Sequence, residues 1–141
     1  MGFKAVDLAP LGANGPTAVT PTFKDVICKA FSVARTDTVA SIKAVIPGDA
    51  TIINVMIYGT ASNAGTTATL SVGTTSTATE IVNAQDVKTA GGLIRPTSNV
   101  GGLFAVENIP ISTDIQLYAK YAETGAASSA GAWTVLIEYV R

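Results

Sequence analysis

Ten carboxylates, a single thiol and no histidine are the groups from which any chemistry in this chain would have to be assembled. The carboxylates, Asp7, Asp25, Asp37, Asp49, Glu80, Asp86, Glu107, Asp114, Glu123 and Glu138, stand singly and mostly at strand ends and turns. There an acidic side chain hydrogen-bonds nearby backbone N–H groups and closes the turn. A glycosidase needs two such groups about 5 to 9.5 Å apart, and no aromatic-rich stretch accompanies any of these to mark a sugar cleft. The lack of histidine removes the commonest general base and the commonest metal ligand together. Cys28 has no base to activate it and lies among apolar residues, so the expectation is a buried structural thiol. As the lone cysteine it forms neither an internal disulfide nor a thiolate metal site. No phosphate-binding glycine loop, calcium-loop spacing or N-x-Ser/Thr acceptor occurs. No enzyme, cofactor or metal is predicted.

The elements that would position these groups are strands. Thr51 to Thr79 alternates as two runs, Ile53, Val55 and Ile57 on one face of the first and Leu70 and Val72 on one face of the second. Ser62, Asn63, Ala64 and Gly65 between them suit a short loop, which predicts a central hairpin. Thr66, Thr67, Thr69, Thr74, Thr75, Thr77 and Thr79 are β-branched and polar, fitting the outer face of a sheet.

Elsewhere the pattern is similar. Lys24 to Ala34 predicts a strand with Ile27, Phe31 and Val33 on one face and Val26, Cys28 and Ala30 on the other. Val39 to Ile46 predicts another, with Ile42, Ala44 and Ile46 sharing a face, and Pro47, Gly48 and Asp49 form a turn. Asn83 to Gly92 lacks alternation and predicts a loop with one helical turn. Leu93 to Pro96 and Gly102 to Glu107 are short strand candidates, followed by a turn at Asn108, Ile109 and Pro110. Asp114 to Tyr121 is a strand with Ile115, Leu117, Ala119 and Tyr121 on one face. Glu123 to Ala132 predicts a flexible loop, and the last strand alternates Trp133, Val135, Ile137 and Tyr139 against Thr134, Leu136, Glu138 and Val140. Trp133 is expected in the core rather than as a sugar platform.

Eight or so short strands and no amphipathic helix predict an all-β, single-domain sandwich or jelly roll over residues 24–141. Ahead of it, residues 1–23 carry Phe3, Val6, Leu8 and Leu11 broken up by Pro10, Gly12, Gly15, Pro16 and Pro21. This predicts an extended N-terminal arm whose apolar side chains dock on the core or on a neighbouring subunit.

Composition narrows the partners. Only 13% of the 141 residues are charged against 48% hydrophobic, so Thr, Ser, Asn, Gly and Ala must cover much of the surface, which suits it to packing against another surface. Nine basic and ten acidic residues give a net charge of -1 with no basic run. That argues against nucleic acid and against anionic membranes. No window approaches the roughly 18 apolar residues of a membrane span, and the N-terminus shows no secretory h-region. A soluble protein made in the host cytoplasm is expected.

The succession AVIPGDATIINVMIYGT, AGTTATLSVGTT, NAQDVKTAGG, IPISTDIQLYAKY and TVLIEYVR, spread over Val39 to Arg141, resembles small head proteins of tailed bacteriophages, the cement or decoration proteins. The resemblance implies a jelly-roll-like module that associates with itself as a dimer or trimer. It implies also binding outside the capsid, at junctions between major capsid protein subunits, where it fastens the expanded shell. It carries over no catalytic residue, and the arm has no counterpart in it. The partner contacts expected are the arm through Phe3, Val6, Leu8 and Leu11, the loops Gly59 to Thr66 and Glu123 to Ala132, and Tyr58, Asn63, Tyr118 and Tyr121. The alternative is a carbohydrate- or receptor-binding module of a head fibre or tail.

Overall fold

Strand β8 (Ala132–Val140) organises the first of two sheets. It pairs antiparallel with β1 (Val26–Ala34) on one side, from Val26↔Val140 to Ala34↔Ala132, and with β3 (Thr51–Gly59) on the other. The three-residue β6 (Gly92–Ile94) closes the far edge against β3, giving the order β1-β8-β3-β6. The second sheet is built round β7 (Ile115–Thr124), flanked by β2 (Ser41–Ile46) and β4 (Thr67–Gly73). With β5 (Val82–Asp86) on the edge of β4 its order is β2-β7-β4-β5. This computed structural model describes residues 25–96 and 113–141. The arm, with Phe3, Val6, Leu8 and Leu11, and the strand and turn expected over 102–110 lie outside the described residues.

Among the described residues, eight antiparallel strands in two facing sheets, with successive strands changing sheet at nearly every connection, make a jelly-roll sandwich. The core fills the space between the sheets, because each strand turns alternate side chains inward. From the first sheet come Val33, Ile52, Ile57, Trp133, Val135 and Ile137, and from the second Ile46, Leu70, Val72, Leu117, Ala119 and Tyr121, all at most 2% exposed. Trp133 and Tyr121 stack across the sandwich with ring centroids 5.2 Å apart and planes inclined by 20°. An aromatic pair of this kind contributes about 0.5–1.5 kcal/mol beyond the area it buries.

Four expectations are corrected. First, β3 and β4 are not a hairpin; they lie in opposite sheets, and the only consecutive strands that pair with each other among the described residues are β4 and β5. Second, bulges shift the inward phase of two strands. In β3 the register slips between Ile52 and Asn54, so Ile52 enters the core and Ile53 is left 38% exposed, while a slip between Ile42 and Ala44 in β2 leaves Ile42 49% exposed. Third, residues 83–92 contain no helical turn; they supply most of β5 and the start of β6. Ala84, at φ +53°, takes the left-handed conformation of a bulge residue, and its N–H donates to Ser71 Oγ at 3.0 Å. Fourth, Cys28 is exposed, because it sits on the outward face of β1.

Candidate interaction surface

One end of the sandwich gathers the connections that follow β1, β3 and β7 and the one that precedes β6. The two loops expected to contact a partner meet there and hold each other. Asn63 is the hub. Its Oδ1 accepts from Ser128 Oγ at 2.7 Å and from the N–H groups of Ser129 and Ala130 at 2.9 and 3.0 Å, and its Nδ2 donates to Ser129 Oγ at 2.8 Å. Backbone bonds complete the clasp, Gly65 N–H to Ala126 O at 2.8 Å and Thr66 N–H to Thr124 O at 2.9 Å, and Ser62 N–H ties the first loop to Val87 O, just after β5, at 2.8 Å. The stretch 125–131, expected to be flexible, is tied down, and Ser128 is 2% exposed.

Beneath the clasp is a buried polar chain. Ser62 Oγ lies 2.8 Å from the Tyr121 hydroxyl and 3.0 Å from Ser128 Oγ, and the Tyr121 hydroxyl donates to Glu123 at 2.6 Å. Glu123 also accepts the Ser128 N–H at 3.1 Å. Burial pushes the Tyr121 phenol above its ordinary value, and the Glu123 carboxylate beside it acts in the same direction. Tyr121 therefore stays a neutral donor. Such a chain rewards full satisfaction, since a buried polar atom left alone costs about 1–3 kcal/mol.

Three other carboxylates, Asp37, Asp86 and Glu80, serve their own turns, as expected of isolated acids. Asp37 accepts the Ala34 N–H at 2.8 Å and pairs with Lys43 at 2.7 Å; burial pushes its carboxyl up, and these two partners outweigh that and hold it below the ordinary range. Asp86 accepts from the Thr89 hydroxyl and from the Lys88 and Thr89 N–H groups, which lower it. Glu80 is the most enclosed by donors. It accepts the N–H groups of Thr74 and Thr79, each at 3.1 Å, Thr77 Oγ1 at 2.5 Å and the Thr75 hydroxyl. Burial acts to raise its carboxyl, but the threonine hydroxyls and backbone amides prevail and bring it to about 2. Among the described residues no group of three His, Cys, Asp or Glu side chains is placed to hold a metal ion.

Beside the clasp, where β1, β8, β3 and β6 end together, lies an open cleft of about 630 Å³. Its floor is backbone and small residues, Ala34, Gly59, Gly91, Gly92 and Ala132, and its rim carries the side chains of Ser32, Tyr58, Thr60 and Thr134. Gly59 is required at this spot: a Cβ there would strike Ala132 O and come within 2.6 Å of Trp133 Cδ1. Among the described residues no ionisable side chain but the Tyr58 phenol lines the cleft, which offers shape, hydroxyls and amides.

Chains in two phage capsid structures share this fold. The sandwich superposes on a chain of the cyanophage Pam1 capsid asymmetric unit with a TM-score of 0.63 and 21% identity, covering 84% of this chain and 86% of that one. It superposes on a chain of the capsid of Ralstonia phage GP4 with a TM-score of 0.62 and 20% identity, covering 86% and 88%. No family model matches the chain, and no curated protein matches it. At this identity the likeness is one of fold.

The expected contact residues do not form one patch. Tyr58 is 59% exposed at the rim of the cleft, and Asn63 stands at the clasp nearby but spends its amide on the neighbouring loop. Tyr118 is on the outward face of the other sheet, donating to Gln116 Oε1 at 2.9 Å. Tyr121 is fully buried, which removes its side chain from any contact surface; its hydroxyl mimics an interface tyrosine in the sequence but works inside the fold. Residues that sequence reasoning passed over are Met56, Leu93, Leu136 and Val140, which share the outward face of the first sheet with Tyr58. Their signal was available as apolar residues on the side of each strand that the core did not claim.

Proposed function

We propose that this chain is a structural, non-enzymatic virion protein that binds the outside of a phage capsid at junctions between major capsid protein subunits and stabilises the expanded shell. The observation that carries the reading is the jelly-roll sandwich shared, over more than four fifths of the chain, with chains of two phage capsid structures. The sequence resemblance to cement proteins and a surface poor in charge point the same way. Each copy then needs only a modest contact free energy, because the lattice repeats the contact and bridged subunits must separate together. The carbohydrate-binding alternative loses its platform, since Trp133 is 2% exposed.

The deciding experiment is the copy number of this chain per major capsid subunit in purified virions, measured by quantitative mass spectrometry. A ratio near one or a simple fraction of it supports the cement reading; a handful of copies per virion, or none, overturns it. Phe3, Val6, Leu8 and Leu11 are proposed as capsid contacts. Deleting Met1 to Leu11 is expected to weaken capsid binding while leaving the circular dichroism spectrum unchanged, and unaltered binding would remove the arm from the reading.

A further inference from the structure

Trp133 combines burial with an unused donor. Its ring is 2% exposed and stacks on Tyr121. Among the described residues its Nε1 is the only buried side-chain nitrogen or oxygen without a hydrogen-bond partner. An indole N–H donates and cannot accept, and buried donors are matched in all but a few cases. The neighbours of the ring locate this one. Cδ1, bonded to Nε1, is 2.6 Å from where a Cβ on Gly59 would stand, and Cζ2, further along the same edge, is 3.0 Å from where one on Gly131 would stand. The N–H edge therefore runs between two glycines, with main chain rather than side chain beside it. Gly59 belongs to the floor of the cleft described above, and Trp133 lines the same cleft.

We propose that this cleft binds an uncharged, extended peptide segment of a partner protein, a main-chain carbonyl of which accepts the Trp133 N–H. The lining selects that class of ligand. Ala34, Ala132, Gly59, Gly91 and Gly92 present so little side chain that another backbone can approach closely, one of the uses of glycine within strands. A Cβ on Gly92 would meet nothing within 4 Å. The Ser32, Thr60 and Thr134 hydroxyls on the rim donate or accept as neighbouring peptide groups require. No charged side chain lines the cleft among the described residues, so a charged ligand would give up water and find no counter-charge. A sugar ring would stack on the face of an indole, whereas this one is turned inward on Tyr121 and offers its edge. The volume of about 630 Å³ lies in the ordinary range of ligand sites, about 300–1,000 Å³.

Nε1 is closed to water in the free chain, so the bond forms as the segment presses into the floor. The element that yields is β6. It has three residues and meets β3 through three pairs, Ile57↔Ile94, Tyr58↔Leu93 and Gly59↔Gly92, the last of them beside the indole. So short a ladder opens locally at little cost. From the capsid reading the proposal takes only that the partner is a protein.

The chain has one tryptophan, so its indole N–H gives a single signal in a proton–nitrogen correlation spectrum of the full-length protein. Titration with N-acetyl-alanyl-alanine N-methylamide is expected to move that signal downfield to saturation, together with the amides of Gly59, Gly91 and Gly92. Glucose is expected to leave it in place. Trp133→Phe keeps an aromatic ring against Tyr121 and removes the donor; binding, followed on the glycine amides, weakens about tenfold. Ala132→Val, at an exposed position, fills the floor without entering the core and weakens binding as well. An indole signal that the peptide does not move, or that glucose moves instead, overturns the proposal. So does unaltered affinity in Trp133→Phe or, should that variant fail to fold, in Ala132→Val. None of these outcomes bears on the copy number in virions, so the two readings fail separately.

Discussion

Replacing Glu80 by glutamine tests whether a single carboxylate holds the β4–β5 connection. The carboxylate faces only donors, two backbone N–H groups and two threonine hydroxyls, and glutamine would turn an NH2 against some of them. The native carboxyl sits at about 2 against an ordinary 4.5. At about 1.36 kcal/mol per unit that difference amounts to roughly 3 kcal/mol. The side chain is partly exposed, and solvent screening reduces the expectation to about 1.5–2 kcal/mol. The sign follows from linkage: a carboxyl lowered on folding stabilises the protein fully above its unfolded value and loses that contribution as pH falls from about 4.5 to about 2. Urea unfolding of wild type and Glu80→Gln should therefore differ by about 1.5–2 kcal/mol at pH 7 and by little at pH 2. Equal stability at pH 7, or a difference as large at pH 2 as at pH 7, would refute the reasoning.

Ala84 holds a left-handed conformation at φ +53° on an exposed bulge; Ala84→Gly relieves about 1–2 kcal/mol of strain against about 0.5–1 of added chain entropy, so thermal unfolding should rise by a degree or two, and a fall would contradict the bulge assignment. Gly59→Ala forces a methyl against Ala132 and Trp133 and should cost about 1–3 kcal/mol by overpacking, read as a lower urea midpoint with altered tryptophan fluorescence. Asn63→Ala cuts the clasp: hydrogen exchange at the Ser129 and Ala130 amides should quicken on the order of tenfold or more, the loss of about 1.5 kcal/mol locally, while amides in the centre of β8 stay protected.

The two best-read strands, β7 and β8, each lie between two neighbours in their sheets. Ile115, Leu117, Ala119 and Tyr121, and Trp133, Val135, Ile137 and Tyr139, are buried as their alternation requires. No bulge interrupts the pairing of β8 with β1 or of β7 with β4. Where a bulge does intervene the period breaks, and so Ile52 rather than Ile53 faces inward. Alternation shows that a segment is a strand but not which strand it pairs with; a loop of four polar and small residues looks the same whether it turns back within a sheet or crosses the sandwich. Cys28 was misplaced because apolar neighbours signal burial only when the outward face is polar, and here it is not. The contact surface was the least legible part. Tyr121 and Tyr58 are alike in the sequence, and only the inward phase of β7 against the outward phase of β3 separates a core hydroxyl from a surface ring.

Among the described residues, β8 sits between β1 and β3. Without β8, β1 and β3 have no common neighbour to zip onto, and each shows an open edge. Closure of the first sheet thus depends on contacts of long sequence separation, which place it among the slower domains, in the range of about milliseconds to seconds. Loss of β8 would leave two unsealed strands prone to pairing with other chains. The first sheet is in this way sealed by a single strand, the one on which both of its neighbours depend.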